Sequence, residues 1–102
     1  MKMTAVIRIR YDKHARIIRA LAHPTRLFIL AELARGERNV SELTGMVGLE
    51  MATVSRHLSL LRSAGLLQHE KRGARVFYRV RARCVLNVFD CVKAIETENN
   101  RN

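Results

Sequence analysis

The feature that most constrains the fold of this chain is a stretch in which two short helical periodicities flank a glycine, NVSELTGMVGLEMATVSRHLSLLRSAGLL, residues 39–67. In its first half, Val40, Leu43 and Val47 recur at the spacing of one helix face. Gly48 then interrupts the pattern, because glycine readily adopts the positive φ that ends a helix. The stretch predicts two short helices joined by a tight turn.

The second of these helices has one apolar face and one polar face. Val54, Leu58 and Leu61 recur at helical spacing and form the apolar face. The short or basic residues expected on the opposite face or beside it are Thr53, Ser55, Arg56, His57 and Ser59. This arrangement over residues 41–63 is typical of a helix-turn-helix, whose second helix reads the major groove of DNA. An ordinary helical hairpin with a solvated face is the alternative.

The charge of the chain favours a polyanionic partner. Its 102 residues carry a formal net charge of +10 and contain 15 arginines but only 4 lysines. Arginine forms bidentate hydrogen bonds to phosphate and to guanine edges, so the excess indicates nucleic acid. An anionic membrane surface explains the charge less well, because the sequence has no long apolar stretch and no separate amphipathic basic helix.

Length and composition predict a single, mainly helical domain over residues 1–102 with one modest core. The amino-terminal segment, MKMTAVIRIRYDKHARII, is charged throughout and lacks the apolar core of a signal peptide. We therefore expect a cytoplasmic protein with no membrane partner, whose two cysteines are thiols at rest.

Two helices are predicted before the central stretch. The secondary structure of residues 1–10 is not predicted, because AVIRIR alternates like a strand and equally suits an extension of the next helix. Residues 11–22 form a helix with a broad apolar surface, which indicates packing beyond its own domain. Pro24 suits the first turn of a second helix, Gly36 suits its end, and Arg26 is either a phosphate contact or a solvated arginine. The inner face of this second helix is expected to contain Leu27, Leu30, Ala31 and Ala34.

The segment after the central stretch predicts a β-hairpin over residues 67–80. Two extended runs flank Arg72-Gly73-Ala74, a short connection that contains a glycine. A hairpin directly after a recognition helix forms a wing, and Arg72 and Arg75 near its tip can reach the DNA backbone or the minor groove. A plain solvated hairpin is the alternative.

The last predicted element is a helix over residues 83–97 with a broad apolar face: Val85, Leu86, Val88, Phe89, Val92 and Ile95. In a chain of this length, such a face usually completes a dimer interface. Together with the helix at 11–22, it predicts a homodimer whose two recognition helices lie about one DNA turn apart.

The order of these elements and three sequence motifs resemble the arsenic-repressor (ArsR/SmtB) family of bacterial winged helix-turn-helix regulators. The motifs are LAHPTRLFIL (21–30), VSRHLSLLRSAGLL (54–67) and RGARVFYRV (72–80). The resemblance implies a homodimer that binds an inverted-repeat operator in double-stranded DNA and represses transcription until an inducer weakens binding. Carried over by position, the residues facing DNA would be Thr53, Ser55, Arg56 and His57 of the recognition helix and Arg72 and Arg75 of the wing.

The sequence departs from the family at the start of the recognition helix. It has Glu50-Met51-Ala52 where the family commonly has Ser-Gln-Pro or a near variant. Glutamate is a poor N-cap, although its charge suits the helix dipole, and an exposed carboxylate there would repel a phosphate. We therefore expect an operator preference that differs from those of relatives.

Two metal sites that are familiar in the family are absent from this sequence. No cysteine lies at residues 39–41, and all four histidines lie outside the predicted terminal helix. Two cysteines remain on that helix, Cys84 and Cys91. They would share a face but lie about 10 Å apart along the axis, too far for one metal ion or one disulfide within the helix.

Across a two-fold axis, antiparallel helices would bring Cys84 of one chain toward Cys91 of the other. Such a pair suits an inducer that is arsenite, another thiophilic metal ion or an oxidant. The alternative is that both cysteines only pack in a dimer interface and that no cofactor binds. The function would then be a DNA-binding regulator controlled by its abundance or by a partner.

Other function classes find less support. An enzyme is not indicated, since the sequence shows no Ser-His-Asp arrangement, no glycine-rich phosphate loop and no evident carboxylate pair. RNA binding fits the charge, but the few aromatic residues do not form a predicted stacking platform.

Overall fold

The computed structural model describes residues 1–101, which form a helical domain with a small antiparallel sheet. The elements in chain order are α1 (Ala5–Leu21), α2 (Pro24–Ala34), β1 (Arg38–Asn39), α3 (Val40–Val47), α4 (Met51–Ser63), β2 (Leu67–Arg72), β3 (Arg75–Val80), a 3₁₀ helix (Arg83–Leu86) and α5 (Asn87–Asn99). This order confirms the predicted fold class, because a helix-turn-helix is followed directly by a β-hairpin and a terminal helix.

The first helix settles the ambiguity at the amino terminus. α1 begins at Ala5, and the hydroxyl of Thr4 accepts a hydrogen bond from the N–H of Ile7 at 3.3 Å. The residues whose alternation resembled a strand are therefore helical. The buried residues of α1, Ala20 and Leu21, lie at its carboxyl end, so the amino-terminal half projects from the core.

The second helix begins at Pro24, as predicted, but its inner face differs from the predicted one. The buried residues are Ile29, Leu30 and Leu33. Leu27 and Ala31, both predicted to face inward, are exposed. The prediction was right for Leu30 but wrong for Leu27 and Ala31, because the sequence of α2 is apolar on most sides and its periodicity alone does not select a face. Contacts with α3, α4 and β3 make that selection.

The third and fourth helices form the predicted pair around a tight turn. Gly48 ends α3 with a φ of 77°, in the left-handed region that favours glycine. Asn39 caps the start of α3: its side chain accepts a hydrogen bond from the N–H of Glu42 at 2.8 Å, and the Glu42 carboxylate accepts one from the N–H of Asn39 at 3.0 Å. The apolar face of α4 is fully buried at Val54, Leu58 and Leu61, as predicted.

The hairpin is also present, and its sheet has one strand more than the sequence predicted. Arg72 pairs with Arg75 at its tip, and Gly73 between them has a φ of 62°. β1 pairs antiparallel with β3, which gives the strand order β1-β3-β2. A strand of two residues is too short to produce a periodicity, so the sequence carried no signal for it.

The terminal segment is divided in two, which corrects the prediction of one helix from residue 83. Residues Arg83–Leu86 form a 3₁₀ helix, and α5 follows from Asn87 to Asn99. α1 and α5 both leave large apolar side chains exposed on this single chain: Val6, Ile9, Ile17, Ile18, Val88, Val92 and Ile95. Among residues 1–101, no helix combines the length and apolar character that crossing a membrane requires.

Candidate nucleic-acid interface

The polar face of α4 lies between two structurally different flanks. On one flank, Arg62 Nη1 lies 3.3 Å from His69 Nε2 of β2, so this side of α4 faces the hairpin. On the other flank, Leu60 lines a pocket together with Ala20 of α1. Arg56 is exposed on the surface between these flanks. An exposed arginine on a helix held by its buried face is free to donate to a ligand.

The smaller predicted contact residues of α4 lie along the same surface. Ser55 and Ser59 are partly exposed, and so is Thr53. Their hydroxyls can each donate and accept a hydrogen bond. The polar surface of α4 thus has one guanidinium among short hydroxyl side chains, a set that can contact both phosphates and base edges.

His57 is an exception among the predicted contact residues. Its side chain is buried, and its Nδ1 accepts a hydrogen bond from Arg26 Nε at 3.1 Å. The prediction that His57 faces outward is therefore wrong. The sequence placed it beside the polar face, but the packing of α2 against α4 covers that edge of the helix.

A small polar cluster surrounds His57 where α2 begins. The ring centroid of His23 lies 4.5 Å from that of His57, and His23 Nδ1 also caps α2 by accepting a hydrogen bond from the N–H of Thr25. Arg26 Nη1 donates to the carbonyl oxygen of Ala20 at 3.3 Å. Burial lowers the pKa of His57, and the neighbouring His23 and Arg26 side chains lower it further. Neutral His57 thus holds Arg26 in place and links α2 to α4.

A groove between α4 and the hairpin brings together two residues that the sequence predicted separately. Ser55 of α4 and Arg75 of β3 both line it, with Ser41 and Asn39 from the start of α3. Arg75 is exposed at the tip of the hairpin, beside Gly73. A ligand lying along α4 can therefore touch the recognition-helix surface and the wing at once.

Arg72, the other predicted wing contact, is already occupied by two carboxylates of this chain. Its Nη1 and Nη2 donate to the two oxygens of Glu37 at 2.6 and 2.9 Å, and its Nε donates to Glu70 at 3.0 Å. The guanidinium also lies 4.6 Å from the ring centroid of Phe77. The guanidinium of Arg72 is thus engaged within this chain, and its contact with DNA stays a prediction.

The carboxylate–arginine network also shifts the ionisation of its members. The hydrogen bonds from Arg72 lower the pKa of Glu37, and the charge of Arg79, whose Nη1 lies 3.6 Å from Glu37 Oε2, adds to that effect. The pKa of Arg72 is raised, mainly by the hydrogen bond to Glu37 and then by that to Glu70. The network ties both long strands of the hairpin to the segment that precedes β1.

The start of α4 has the weak cap that the sequence predicted. Glu50 is the N-cap residue, and its side chain makes no capping hydrogen bond. Glu50 and Met51 are both exposed beside the polar surface of α4. In the first turn, the N–H of Thr53 already donates to the carbonyl oxygen of Glu50 at 3.0 Å, so an external acceptor could reach only the amides before it, and a carboxylate lies next to them.

The two cysteines do not lie on one α-helix. Cys84 belongs to the 3₁₀ helix and Cys91 to α5, so the axial separation expected from a continuous α-helix does not apply. Both thiols are free and exposed. Cys84 lines an apolar groove with Ile17 of α1 and Val88 of α5. Within residues 1–101 of a single chain, no three metal-ligating side chains are grouped.

Two residues that matter to the site were missed from the sequence. Glu37 was missed because its partner Arg72 is 35 positions away, and no local pattern connects them. Asn39 was missed although its signal is local: Asn39 and Glu42 have the spacing of a capping box.

Comparison with known proteins places this geometry in a family. A model of bacterial regulatory proteins of the arsR family matches residues 23–69, from the cap of α2 into β2. The HTH-type transcriptional regulator Rv0324 of Mycobacterium tuberculosis is 36% identical over 88 residues, which are 86% of this chain and 39% of that protein. The biofilm growth-associated repressor of Xylella fastidiosa is 32% identical over 71 residues, which are 70% of this chain and 62% of that protein.

One solved structure extends the likeness along nearly the whole chain. It is the homodimeric winged helix-turn-helix DNA-binding domain (fragment 1–100) of Mb0332 from Mycobacterium bovis, with 32% identity and a TM-score of 0.81 over 99% of this chain and 94% of that one. The chain spans less than two thirds of the length of the two curated relatives. It belongs to the ArsR family of bacterial regulatory proteins.

Proposed function

We propose that this protein is a transcriptional repressor that binds an inverted-repeat operator in double-stranded DNA as a homodimer. The observation that carries the proposal is the exposed polar surface of α4, with Arg56 at its centre and Ser55 and Arg75 in one groove beside it. α4 would lie in the major groove, and the wing would follow the adjacent backbone. The formal charge of +10 supplies the electrostatic attraction.

The proposal of a homodimer rests on the apolar surfaces of α1 and α5. Ile17 and Ile18 of α1 and Val92 and Ile95 of α5 are exposed on the single chain, at 42%, 63%, 48% and 54%. Contiguous apolar side chains of this size are typical of surfaces that a partner covers. The Mycobacterium bovis relative is itself described as homodimeric, which supports a second copy as that partner.

The proposal of repression rests on the relatives. The Xylella fastidiosa relative is named a repressor, and the match to the arsR-family model covers the helix-turn-helix of this chain. A dimer on an inverted repeat that overlaps a promoter would exclude RNA polymerase. The residues proposed to contact DNA are Thr53, Ser55, Arg56, Ser59 and Arg75.

We further propose that a thiol-reactive inducer acts through Cys84 and Cys91. Both thiols are exposed, and Cys84 lies in the groove between α1 and α5 where the second copy is proposed to pack. A reagent that modifies or bridges these thiols would change the dimer contact and thereby the spacing of the two recognition helices. Arsenite, another thiophilic metal ion and an oxidant are the classes that fit thiol ligands.

DNA binding is tested by fluorescence anisotropy on the duplex upstream of the protein's own gene, with an unrelated duplex of equal length as reference and one fixed salt concentration. We expect tighter binding to the upstream duplex. Arg56→Ala should weaken that binding and reduce the difference between the two duplexes. Lys93→Ala, which removes an exposed positive charge from α5, is the matched control and should leave the difference unchanged. Equal affinity of wild type for both duplexes would contradict an operator-specific function.

Sensing is tested in the same assay by titrating arsenite, zinc and peroxide separately. We expect one of them to release DNA from wild type and not from the Cys84→Ser/Cys91→Ser double variant. If none releases DNA, the inducer proposal is wrong, and the protein is a regulator controlled by abundance or by a partner. If an agent releases both proteins equally, its target is elsewhere in the chain.

A further inference from the structure

The structure has a basic pocket on the flank of α4 that lies away from the wing. The pocket has a volume of about 300 Å³ and is formed by the carboxyl half of α1, the start of α2 and the carboxyl half of α4. The residues that line it are Arg16, Arg19, Ala20, Arg26, Leu60, Ser63 and Ala64. We call these residues the α1 flank.

Two arginines of the α1 flank are free to bind an anion. Arg16 and Arg19 are exposed, and neither forms an ion pair within the part of the chain that the structure describes. Their spacing of three residues places both guanidinium groups on one side of α1. Arg26 is different, because His57 and the carbonyl oxygen of Ala20 already hold it. The lining as described contains no carboxylate that would repel an anion.

The position of this flank relative to the wing follows from helix geometry. Leu60 of α4 lines the α1 flank, whereas Arg62 contacts His69 of the hairpin. Two positions that differ by two residues lie about 160° apart around a helix axis. The α1 flank and the wing are therefore on opposite sides of the polar surface of α4.

The proposed dimer leaves the α1 flank open. Ile17 and Leu21 lie on the other side of α1, where they line the apolar groove with Cys84 and Val88. The second copy of the chain is proposed to pack against that groove. Arg16 and Arg19 point away from it into the pocket beside α4.

The shape of the major groove gives a reason for cations on both sides of a recognition helix. The major groove is about 12 Å wide, and an α-helix with its side chains is about 10–12 Å across. A helix in the groove therefore has a phosphate backbone on each side. We propose that Arg16 and Arg19 form a second phosphate-contact surface, which binds the strand opposite the one that the wing approaches. This inference rests on the proposed function.

The test is the dependence of DNA affinity on salt concentration, measured by anisotropy on the upstream duplex and the unrelated duplex. Each phosphate contact that is lost reduces the slope of log K against log[salt] by about 0.9. Because the proposed homodimer carries two copies of each arginine, we expect Arg16→Ala/Arg19→Ala to reduce the slope by about four times this amount and to lower the affinity for both duplexes by the same factor. Arg16→Lys/Arg19→Lys keeps both charges and should keep most of the wild-type slope.

The matched control is Arg10→Ala/Lys93→Ala, which removes the same net charge from exposed positions outside the α1 flank. Its slope should remain close to that of wild type. If the Arg16/Arg19 variant folds by circular dichroism and retains the wild-type slope, the second contact surface is refuted while the proposed function stands. If both double variants reduce the slope equally, the effect is one of net charge, and the inference is also refuted. If wild type itself shows no salt-dependent binding to duplex DNA, the proposed function fails.

Discussion

Arg26 Nε donates a hydrogen bond to His57 Nδ1 at 3.1 Å, and this contact joins the start of α2 to the middle of α4. Because His57 is buried and must be neutral to accept this bond, this link between α2 and α4 depends on the ionisation of one side chain. The groups that face it are His23 and Arg26 from the start of α2 and Arg56 from α4 itself.

We expect the stability of the protein to fall as the pH drops below about 6.5, the ordinary value for histidine. The folded-state pKa of His57 is lowered, so the unfolded chain binds more protons in the window between the two pKa values. The stabilising contribution of neutral His57 is complete at a pH above its pKa in the unfolded chain. It is lost as the pH falls through its pKa in the folded protein. Urea denaturation at a series of pH values from about 8 to about 5 measures this change.

The control for the pH effect is His57→Asn, which offers a carbonyl oxygen to Arg26 but does not titrate. Its free energy of unfolding should be lower than that of wild type at neutral pH and should change less over the same window. A variant that loses stability as steeply as wild type would assign the pH dependence to another group.

The two arginines at the tip of the wing are expected to behave differently on DNA. Arg75→Ala should reduce the slope of log K against log[salt] by about 1.8, about 0.9 for each subunit of the proposed homodimer, because its guanidinium is proposed to contact a phosphate. Arg72→Ala should weaken binding with little change in that slope, since its guanidinium holds Glu37 and Glu70 and positions the hairpin. The salt dependence of anisotropy titrations separates the two cases.

A charge reversal tests the positioning role of Arg72. The single changes Arg72→Glu and Glu37→Arg should each weaken DNA binding, and the double variant should recover part of the loss. If the double variant recovers no DNA affinity and Arg72→Ala reduces the slope, Arg72 contacts DNA directly.

Two glycines of α3 are expected to respond oppositely to the same substitution. Gly45 lies inside the helix with nothing within 4 Å of an added Cβ, so Gly45→Ala should stabilise the protein by about 1 kcal/mol. Gly48 has a φ of 77°, so Gly48→Ala should destabilise it by about 1–2 kcal/mol. Urea denaturation of both variants checks the pair. Destabilisation by Gly45→Ala would mean that its exposed face packs against a partner in solution.

A charge on α5 should separate the proposed dimer into monomers. Val92 is 48% exposed on the single chain, and Val92→Glu would place a carboxylate within the apolar surface proposed to be covered by the second copy. Sedimentation velocity should then detect a monomer, and the affinity for an inverted repeat should fall because two half-sites are no longer held together. Lys93→Glu, at the next position, should remain a dimer, whereas an unchanged oligomeric state for Val92→Glu would contradict the proposed interface.

The extent to which the site could be predicted depends on how far apart the interacting residues lie in sequence. The recognition helix was predictable, because Val54, Leu58 and Leu61 repeat within one element and their burial exposes Arg56 on the opposite face. The hairpin was predictable from Gly73, whose positive φ is a local requirement of its turn. In both cases the physical constraint acts within a few residues.

The sequence by itself thus determined the order of the helices, the turn between α3 and α4, the wing and the basic character of the chain. Only the tertiary structure decided that His57 is buried against Arg26, 31 positions away, and that Arg72 is held by Glu37, 35 positions away. It also selected the inner face of α2, whose sequence is apolar on most sides. These outcomes depend on which elements pack together, and a periodicity within one element carries no information about its neighbours.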